Sequence, residues 1–559
     1  MARAVRLLTE VSAVDRAFDY RLPETMASVG VGDRLRVDFH GRSVRGWVLE
    51  EVSDAPELKT AKSWLGFGPP PTMKPLFEWA ARRWCAPLAS FYRSASDVRL
   101  HKSLPTVPAA LAVPDVVARE PGVWQLAPTT DPIDIVLAAY ESTRGRGSLL
   151  VLTPTDAWAE RLAARLRRRG LFVAHAEQSW PQARAGWPVV VGARGVAFAP
   201  VPVVAGAVIL DADDEAYRSG QFPYWHARDV IVERCARAHA PWWATSAWPT
   251  PTLSACGPTH ADPLWHGGWP RVEVIDRRQR DPHDGVLSPN ALAEAHRALS
   301  GDEPVAVAVI LQRLGAGRVL ACKRCGELAR CGECGRACEE TDGGRTCPDG
   351  HPGNVAYCTS CGATAFRAVR SGVTTLARDV ALQLNCEVTE VTAQSESGTF
   401  ARVVVGTEAV FGRVRRCGVV IFVDADQYLT APRSTARRAF VEAVGRAGRL
   451  VGARREGRGV VVIQTRRPDD AVVLGVVNED VGELSRDEVE TAKVLGLAPF
   501  RARATVTGEG AAEWAAQLTG LDVRAVPDGV ELSAPDLVTL TDAIALVGRP
   551  GAPLRLTLE

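Results

Sequence analysis

Up to about residue 95, apolar and polar positions alternate in short runs, as in Ala4-Val5-Arg6-Leu7-Leu8 and Arg34-Leu35-Arg36-Val37-Asp38-Phe39, with Gly46-Trp47-Val48-Leu49 after a polar turn. A period of two sends successive side chains to opposite faces of a strand, so this segment predicts a small β barrel or sandwich. A helix is expected over Leu76 to Cys85, ended by Pro87. Pro105, Pro108, Pro114 and Pro121 make residues 96–123 a linker.

From about 124 the period changes to strand and helix in alternation. Leu149-Leu150-Val151-Leu152 is a buried strand; Thr155 or Asp156 can cap a helix with Trp158, Leu162 and Leu166 on one stripe, ending at Gly170. Phe172-Val173-Ala174, Val189-Val190-Val191 and Ala207-Val208-Ile209-Leu210 continue the strands, as expected of a doubly wound parallel sheet. A second such unit starts at Val305 to Leu311, breaks, and resumes at Val403-Val404-Val405, Val419 to Val423 and Val460 to Ile463. Residues 480–559 read as a small α+β domain with helices at Ala511 to Leu518 and Pro535 to Val547. The expected parts are therefore 1–95, the linker 96–123, a first lobe 124–262, a second lobe 263–479 interrupted at 320–363, and 480–559.

Composition adds limits. A chain of 559 residues is too long for one core. The apolar stretch from Val189 to Leu210 is split by Arg194, glycines and two prolines, which excludes a membrane span there. The opening residues meet Glu10 before any long apolar run, so no signal peptide is read and a cytoplasmic setting is expected. Net charge of +1 decides nothing about nucleic acid. Phe411 to Val460 does hold eleven Arg against four acidic residues, but with sixty Arg and six Lys overall a solvated face explains much of that.

The interruption of the second lobe carries eight of the thirteen cysteines: Cys322-Lys-Arg-Cys325, Cys331-Gly-Glu-Cys334, Cys338, Cys347-Pro-Asp-Gly-His351 and Cys358-Thr-Ser-Cys361. Two thiolates separated by two residues present both sulfurs to one tetrahedral ion. Gly326, Gly335 and Gly362 follow the second Cys of each pair, where the knuckle needs positive φ. A disulfide framework is the competing reading, and the clustering in one segment of a chain without a read secretory signal favours metal.

Several strings, in order, resemble the PriA family of replication restart proteins, members of helicase superfamily 2. They are Asp15-Arg16-Ala17-Phe18-Asp19-Tyr20-Arg21-Leu22-Pro23, Val191-Gly192-Ala193-Arg194-Gly195-Val196-Ala197-Phe198-Ala199-Pro200, Tyr224-Trp225-His226-Ala227-Arg228-Asp229, Gln312-Arg313-Leu314-Gly315, Val405-Gly406-Thr407-Glu408 and Val444-Gly445-Arg446-Ala447-Gly448-Arg449. The resemblance covers nearly the whole chain. It implies two RecA-like lobes, an N-terminal β-rich DNA-binding domain, a zinc-binding insertion in the second lobe and a small C-terminal α+β domain.

Departures from that pattern concern ATP. The family's phosphate-binding loop needs Gly-x-x-x-x-Gly-Lys-Ser/Thr. No lysine here follows a Gly, and the expected position, Gln125-Leu126-Ala127-Pro128-Thr129-Thr130-Asp131-Pro132, has neither residue. Asp211-Ala212-Asp213-Asp214 stands where the family has Asp-Glu-Glu-His, so Asp211 could hold Mg²⁺ but the water-positioning Glu is Ala212. Arg446 and Arg449 match arginines that reach ATP phosphate. These are nucleotide-binding remnants, with packing or DNA phosphate contact as their preferred use. The family's winged helix is absent or reduced to the linker.

For DNA, the resemblance implies that Phe18 and Asp19 hold a 3′ end with the Phe39 to Gly41 turn and Lys59. A family loop that senses single strands corresponds to the cluster of Tyr217, Phe222, Tyr224 and Trp225, of which Tyr217 and Trp225 are singled out. An aromatic ring stacks on a base, a carboxylate accepts from a 3′-hydroxyl and a cation meets phosphate. The competing reading of Phe18 is a core residue. Two Zn²⁺ are implied: Cys322, Cys325, Cys358 and Cys361 for one, and Cys331, Cys334 and Cys347 with His351, or alternatively Cys338, for the other. ATP binding stays open.

The expectation is a fork-recognising replication restart protein of the nucleoid without helicase activity. Its expected partners are forked and single-stranded DNA, other primosome components, the replicative helicase or its loader, and single-strand DNA-binding protein, with no membrane. The alternatives are an active ATP-dependent 3′-to-5′ DNA helicase with diverged motifs and a zinc-ribbon nucleic-acid or protein adaptor.

Overall fold

The computed structural model describes residues 3–11, 16–278, 285–311, 318–327, 329–331, 338–341, 344–347, 351, 357–368, 373–392, 395, 400–430, 435–526, 528–551 and 554–558. The chain forms two compact units. One comprises residues 1–126, 131–262 and 485–559; the other comprises 127–130 and 263–484.

In the first unit, β1 (Arg3–Thr9), β2 (Ala17–Leu22), β3 (Arg34–Phe39), β4 (Arg42–Val52) and β5 (Ser63–Gly66) form an antiparallel sheet in the order β2-β1-β4-β3-β5. A bridge between Arg21 and Thr60 ties the β2 edge to the segment leading into β5, which curls the sheet toward a barrel. Val5, Leu7, Tyr20, Leu35, Val37 and Val48 fill its interior, as the alternation predicted.

Helix α1 runs Lys74–Arg83, and a second helix, α2 (Leu88–Ser94), follows it. Pro87 thus begins a helix as its N-cap residue, where a ring that cannot donate costs nothing, while α1 has already ended at Arg83 ahead of Cys85, which has φ 46°. Both helices pack under the sheet. Trp47 and Tyr92 (5.6 Å between centroids), Tyr92 and Phe77 (4.5 Å), Phe77 and Phe198 (6.1 Å) and Phe198 and Trp225 (4.9 Å) form one aromatic chain from the β domain into the lobe behind it. The β domain and this lobe therefore share a core. No helix or strand forms between Ser94 and Gly122.

The lobe is a seven-stranded parallel sheet, order β12-β6-β11-β10-β7-β9-β8, built from β6 (Gly122–Gln125), β7 (Ser148–Leu152), β8 (Val173–His175), β9 (Val189–Gly192), β10 (Val204–Ile209), β11 (Trp242–Ser246) and β12 (Thr259–Ala261). Thr155 caps the helix Asp156–Arg168 by accepting from the Trp158 amide.

The second unit holds the other parallel sheet and its interruption. β13 (Arg271–Asp276) and β14 (Val305–Ile310) precede the insertion strands β15 (Arg318–Cys322), β16 (Glu339–Thr341), β17 (Gly344–Thr346) and β18 (Phe366–Ala368). β19 (Val388–Val391), β20 (Val403–Gly406), β21 (Cys417–Phe422) and β22 (Val460–Thr465) complete the parallel order β13-β22-β21-β14-β20-β19. Valines fill β14, β20, β21 and β22 because both faces of a parallel sheet are covered.

β23 (Ala502–Thr507), β24 (Asp522–Val526), β25 (Gly529–Ala534) and β26 (Arg555–Leu558) form an antiparallel C-terminal sheet with helices Ala511–Ala515 and Leu537–Val547. Cys85, after α1, packs into this sheet's core, so the end of the chain returns to the first unit. Among the described residues, no helix is long and apolar enough to cross a membrane.

Candidate nucleic-acid interface and metal centres

The β domain gathers aromatic and charged groups around the β3–β4 hairpin. Phe18, on β2, is half-buried and meets the Phe39 ring edge-on at 4.9 Å; the Arg16 guanidinium lies 4.7 Å from its ring centroid. Asp38 binds the hairpin by accepting from the Gly41 amide (3.2 Å) and draws in Lys62 (3.2 Å) and Lys59 (3.5 Å). Hydrogen bonds from Lys62 and the Gly41 amide hold the Asp38 carboxyl below its ordinary range.

Strand alternation places Phe18 and Asp19 on opposite faces of β2. Asp19 faces its cross-strand neighbour Arg6, which donates to both carboxylate oxygens at 2.9 and 3.1 Å and reaches Glu50 at 2.8 Å. Lys59 is exposed.

The aromatic loop after β10 divides differently from the expectation. Tyr217 is fully buried and its hydroxyl donates to the Leu210 carbonyl at 2.6 Å; Trp225 packs edge-on against Phe198. Neither ring has a face for a base, so both are corrected to core residues: a loop that starts at the strand end is pulled back onto the sheet by its largest side chains. Phe222 is 50% exposed instead, with Tyr224 beside it at 6.2 Å. Arg549 and Arg555, from the C-terminal domain, lie over these two rings at 5.9 and 4.4 Å. Sequence reading missed both arginines, which lie more than three hundred residues downstream of the loop.

Around the altered second motif, the Ala212 side chain is buried in the core. Asp211 has φ 49° and its amide donates to the Thr245 hydroxyl. Asp213 is nearly inaccessible, paired with Arg228 (3.0 Å) and accepting from the Ser246 hydroxyl (2.9 Å) and the Thr250 amide and hydroxyl (3.0 and 2.7 Å). Arg228 also meets Asp229, which in turn meets Arg83 of α1 at 3.4 Å. His226 sits in this network and burial pushes it down to about 4.

Where a phosphate loop would offer free amides, the chain spends them on itself. The Thr129 amide and hydroxyl donate to the Gly268 carbonyl at 3.1 and 2.6 Å, and the Thr130 amide to the Ala127 carbonyl at 3.0 Å. Arg449 Nε donates to the Pro128 carbonyl at 3.0 Å, and Arg446 pairs with Glu408 at 2.8 Å and Glu442 at 3.7 Å.

The insertion brings together donors that lie far apart in sequence. Sγ atoms of Cys322, Cys325, Cys358 and Cys361 lie within 4.8 Å of one another, with Cys322–Cys361 and Cys325–Cys358 at 3.5 Å. Two thiolates on one tetrahedral ion at about 2.3 Å stand about 3.8 Å apart, whereas a disulfide is about 2.05 Å. The four sulfurs therefore fit a zinc-sized ion. Gly326 and Gly362 have φ 77° and 72°, the left-handed turns the knuckles require. Amides of Cys325 and Arg324 pull the Cys322 thiol down to about 6.

A second group unites Cys331, Cys347 and His351, with His351 Nδ1 at 3.8 and 3.7 Å from the two sulfurs. A thiolate and an imidazole on one tetrahedral ion stand about 3.6 Å apart. Cys338 is fully buried beside this group with Leu320 and Ala329. Cys334, Gly335 and the Gln312 to Gly315 string lie outside the described residues.

These features define a class: a protein with two parallel α/β lobes, a β-rich domain ahead of the first and cysteine clusters inserted in the second. The family model of the PriA 3′ DNA-binding domain matches residues 6–96. The replication restart protein PriA of Treponema pallidum is 27% identical over 416 residues, 66% of this chain and 61% of that one. Its probable counterpart in Mycobacterium tuberculosis (strain H37Rv) is 27% identical over 454 residues, 67% and 66% of the two chains. In Thermotoga maritima the similarity is 34% over 92 residues, 16% and 12%. The chain is similar to the PriA replication restart proteins, and its match spans 61% and 66% of the lengths of the first two relatives named. Among solved structures, Saccharomyces cerevisiae Dbp5 bound to RNA and ADP-BeF3 aligns at TM-score 0.37 and 10% identity, over 68% of this chain and 90% of the other.

Proposed function

We propose that this protein recognises stalled or abandoned replication forks, binds DNA, and promotes reloading of the replicative helicase without hydrolysing ATP. The observation that carries the reading is the β domain: a match to a 3′-end DNA-binding module whose residues place the Phe18 and Phe39 rings, Arg16, Lys59 and Lys62 around one hairpin. Aromatic rings interleaved with cations suit a single-stranded end. Phe18, Asp19 and Lys59 contact the 3′ terminus; Phe222 and Tyr224, in place of Tyr217 and Trp225, meet single-stranded bases.

ATP turnover is lost because the groups that would serve it are otherwise employed. The Thr129 and Thr130 amides already donate to the Gly268 and Ala127 carbonyls, Ala212 replaces a carboxylate, and Arg446 already has an anionic partner. Asp211, Arg446 and Arg449 are remnants of a nucleotide site. The insertion binds two Zn²⁺, one on Cys322, Cys325, Cys358 and Cys361, the other on Cys331, Cys347, His351 and Cys334. Both are structural, because four protein donors leave no open position. Partners are forked and single-stranded DNA, a helicase loader or the replicative helicase, other primosome components and single-strand DNA-binding protein, at the nucleoid.

The test uses purified protein with synthetic forks. Binding should favour a fork with a nascent 3′ end at its junction, and DNA-stimulated ATP hydrolysis and unwinding should both be at background. Equal affinity for plain duplex would sink the fork reading and leave a general nucleic-acid adaptor.

A further inference from the structure

The hairpin that carries Phe39 turns through two residues, His40 (φ 48°) and Gly41 (φ 77°), between β3 and β4. Two consecutive positive φ values make a type I′ turn, which Asn-Gly fills with least strain. His40 occupies the first position, and its ring is exposed and meets Phe39 at 4.5 Å and 88°. Phe39 in turn meets Phe18 at 4.9 Å. Three rings thus run from the barrel to the hairpin tip. A ring perpendicular to its neighbour keeps at least one face open, and His40 is an exposed residue.

The local charge suits a strand passing along this line. Arg16 lies against Phe18 at one end of the ladder, and Lys59 and Lys62 gather on Asp38, the residue that precedes Phe39 in β3. Asp38 also locks the turn by accepting from the Gly41 amide, so the His40 ring is held on a fixed support.

We propose that His40 is a third ring of the 3′-end site, stacking on the base next to the terminal one, so that the β domain grips the last two nucleotides of a single-stranded 3′ end. This rests on the reading of the β domain as a 3′-end binder. Phe18 takes the terminal base, Phe39 spaces and braces the two outer rings, and His40 takes the penultimate base. Stacking on an aromatic side chain contributes roughly 1–3 kcal/mol per base, and an exposed imidazole belongs at the lower end of that range.

The experiment measures fluorescence anisotropy of the full-length protein with a labelled dT15 carrying a free 3′-hydroxyl, the same strand with a 3′-phosphate, and one with an abasic penultimate site. His40→Asn keeps the favoured turn and removes the ring; His40→Phe returns a ring. Wild type should bind the abasic strand about five-fold more weakly than dT15. His40→Asn should bind dT15 about five-fold more weakly than wild type and show no further loss on the abasic strand, while His40→Phe should recover most of the affinity. Wild-type affinity in His40→Asn, or an abasic penalty that persists in it, overturns the role of His40 and leaves the 3′-end reading standing. If the 3′-phosphate and Phe18→Ala both bind as the unmodified pair does, the 3′-end reading itself is wrong and the proposal goes with it.

Discussion

Arg446 Nη1 and a Glu408 carboxylate oxygen stand 2.8 Å apart in the second unit, within two of the strings that resemble the PriA family. An arginine poised for a phosphate should have an unmet demand for negative charge, and here a carboxylate on the same lobe already meets much of it. The neighbouring Arg449 donates to a backbone carbonyl of the segment where a phosphate loop would be.

Background ATP turnover is therefore the expected result with forked DNA, and it should stay at background in Asp211→Asn and in Glu408→Gln. Removing the carboxylate does not replace the missing lysine or the Ala212 position. Robust hydrolysis that Asp211→Asn abolishes would show a working motor with diverged motifs.

Zinc content should come to two ions per chain. Cys358→Ser should lose one of them and leave the other, since the two donor groups share no ligand. His351→Ala should remove the second ion while sparing the first. A wild-type stoichiometry of one would reject the site that uses His351.

Stability should depend on His226 below neutral pH. The unfolded imidazole protonates near 6.5, whereas burial holds the folded one down to about 4. Between these values the unfolded chain binds the extra proton, so stability falls as pH drops from about 6.5 to about 4 and then levels off. The effect is at most about 3 kcal/mol. His226→Asn keeps an N-cap acceptor for the Arg228 amide and removes the titration, so urea midpoints at pH 7 and pH 5 should lie closer together in the variant than in wild type.

Tyr217→Phe should lower stability by about 1–2 kcal/mol, because the Leu210 carbonyl loses its buried donor, and should leave DNA affinity unchanged. Phe222→Ala should do the reverse. Thermal unfolding and anisotropy on single-stranded DNA together separate the two.

Much was legible in the chain itself. Strand alternation at Arg34 to Phe39, valine runs at Val403 and Val460, Cys-x-x-Cys spacing with a following Gly, and the missing Gly-Lys pair are all local signals, because period, turn geometry and ligand bite act within a few residues. His351 was also readable, as the nearest donor to the position where a cysteine was expected. The helix Leu88–Ser94 was not, since the proline before it looked like an end when it is a beginning.

What only the tertiary structure decided depends on residues distant in sequence. Which aromatics of the loop are core was set by the Leu210 carbonyl and Phe198, and which remain exposed is marked by Arg549 and Arg555 arriving from the C-terminal sheet. The pairing of Cys322 with Cys361, the burial of Asp213 among Arg228, Ser246 and Thr250, and the carboxylate on Arg446 are likewise products of chain return. By itself, the sequence determined which chemical groups are present and the short-range geometry that holds them. Folding decided which remain exposed to a ligand, because burial and charge pairing depend on side chains that long-range contacts bring together.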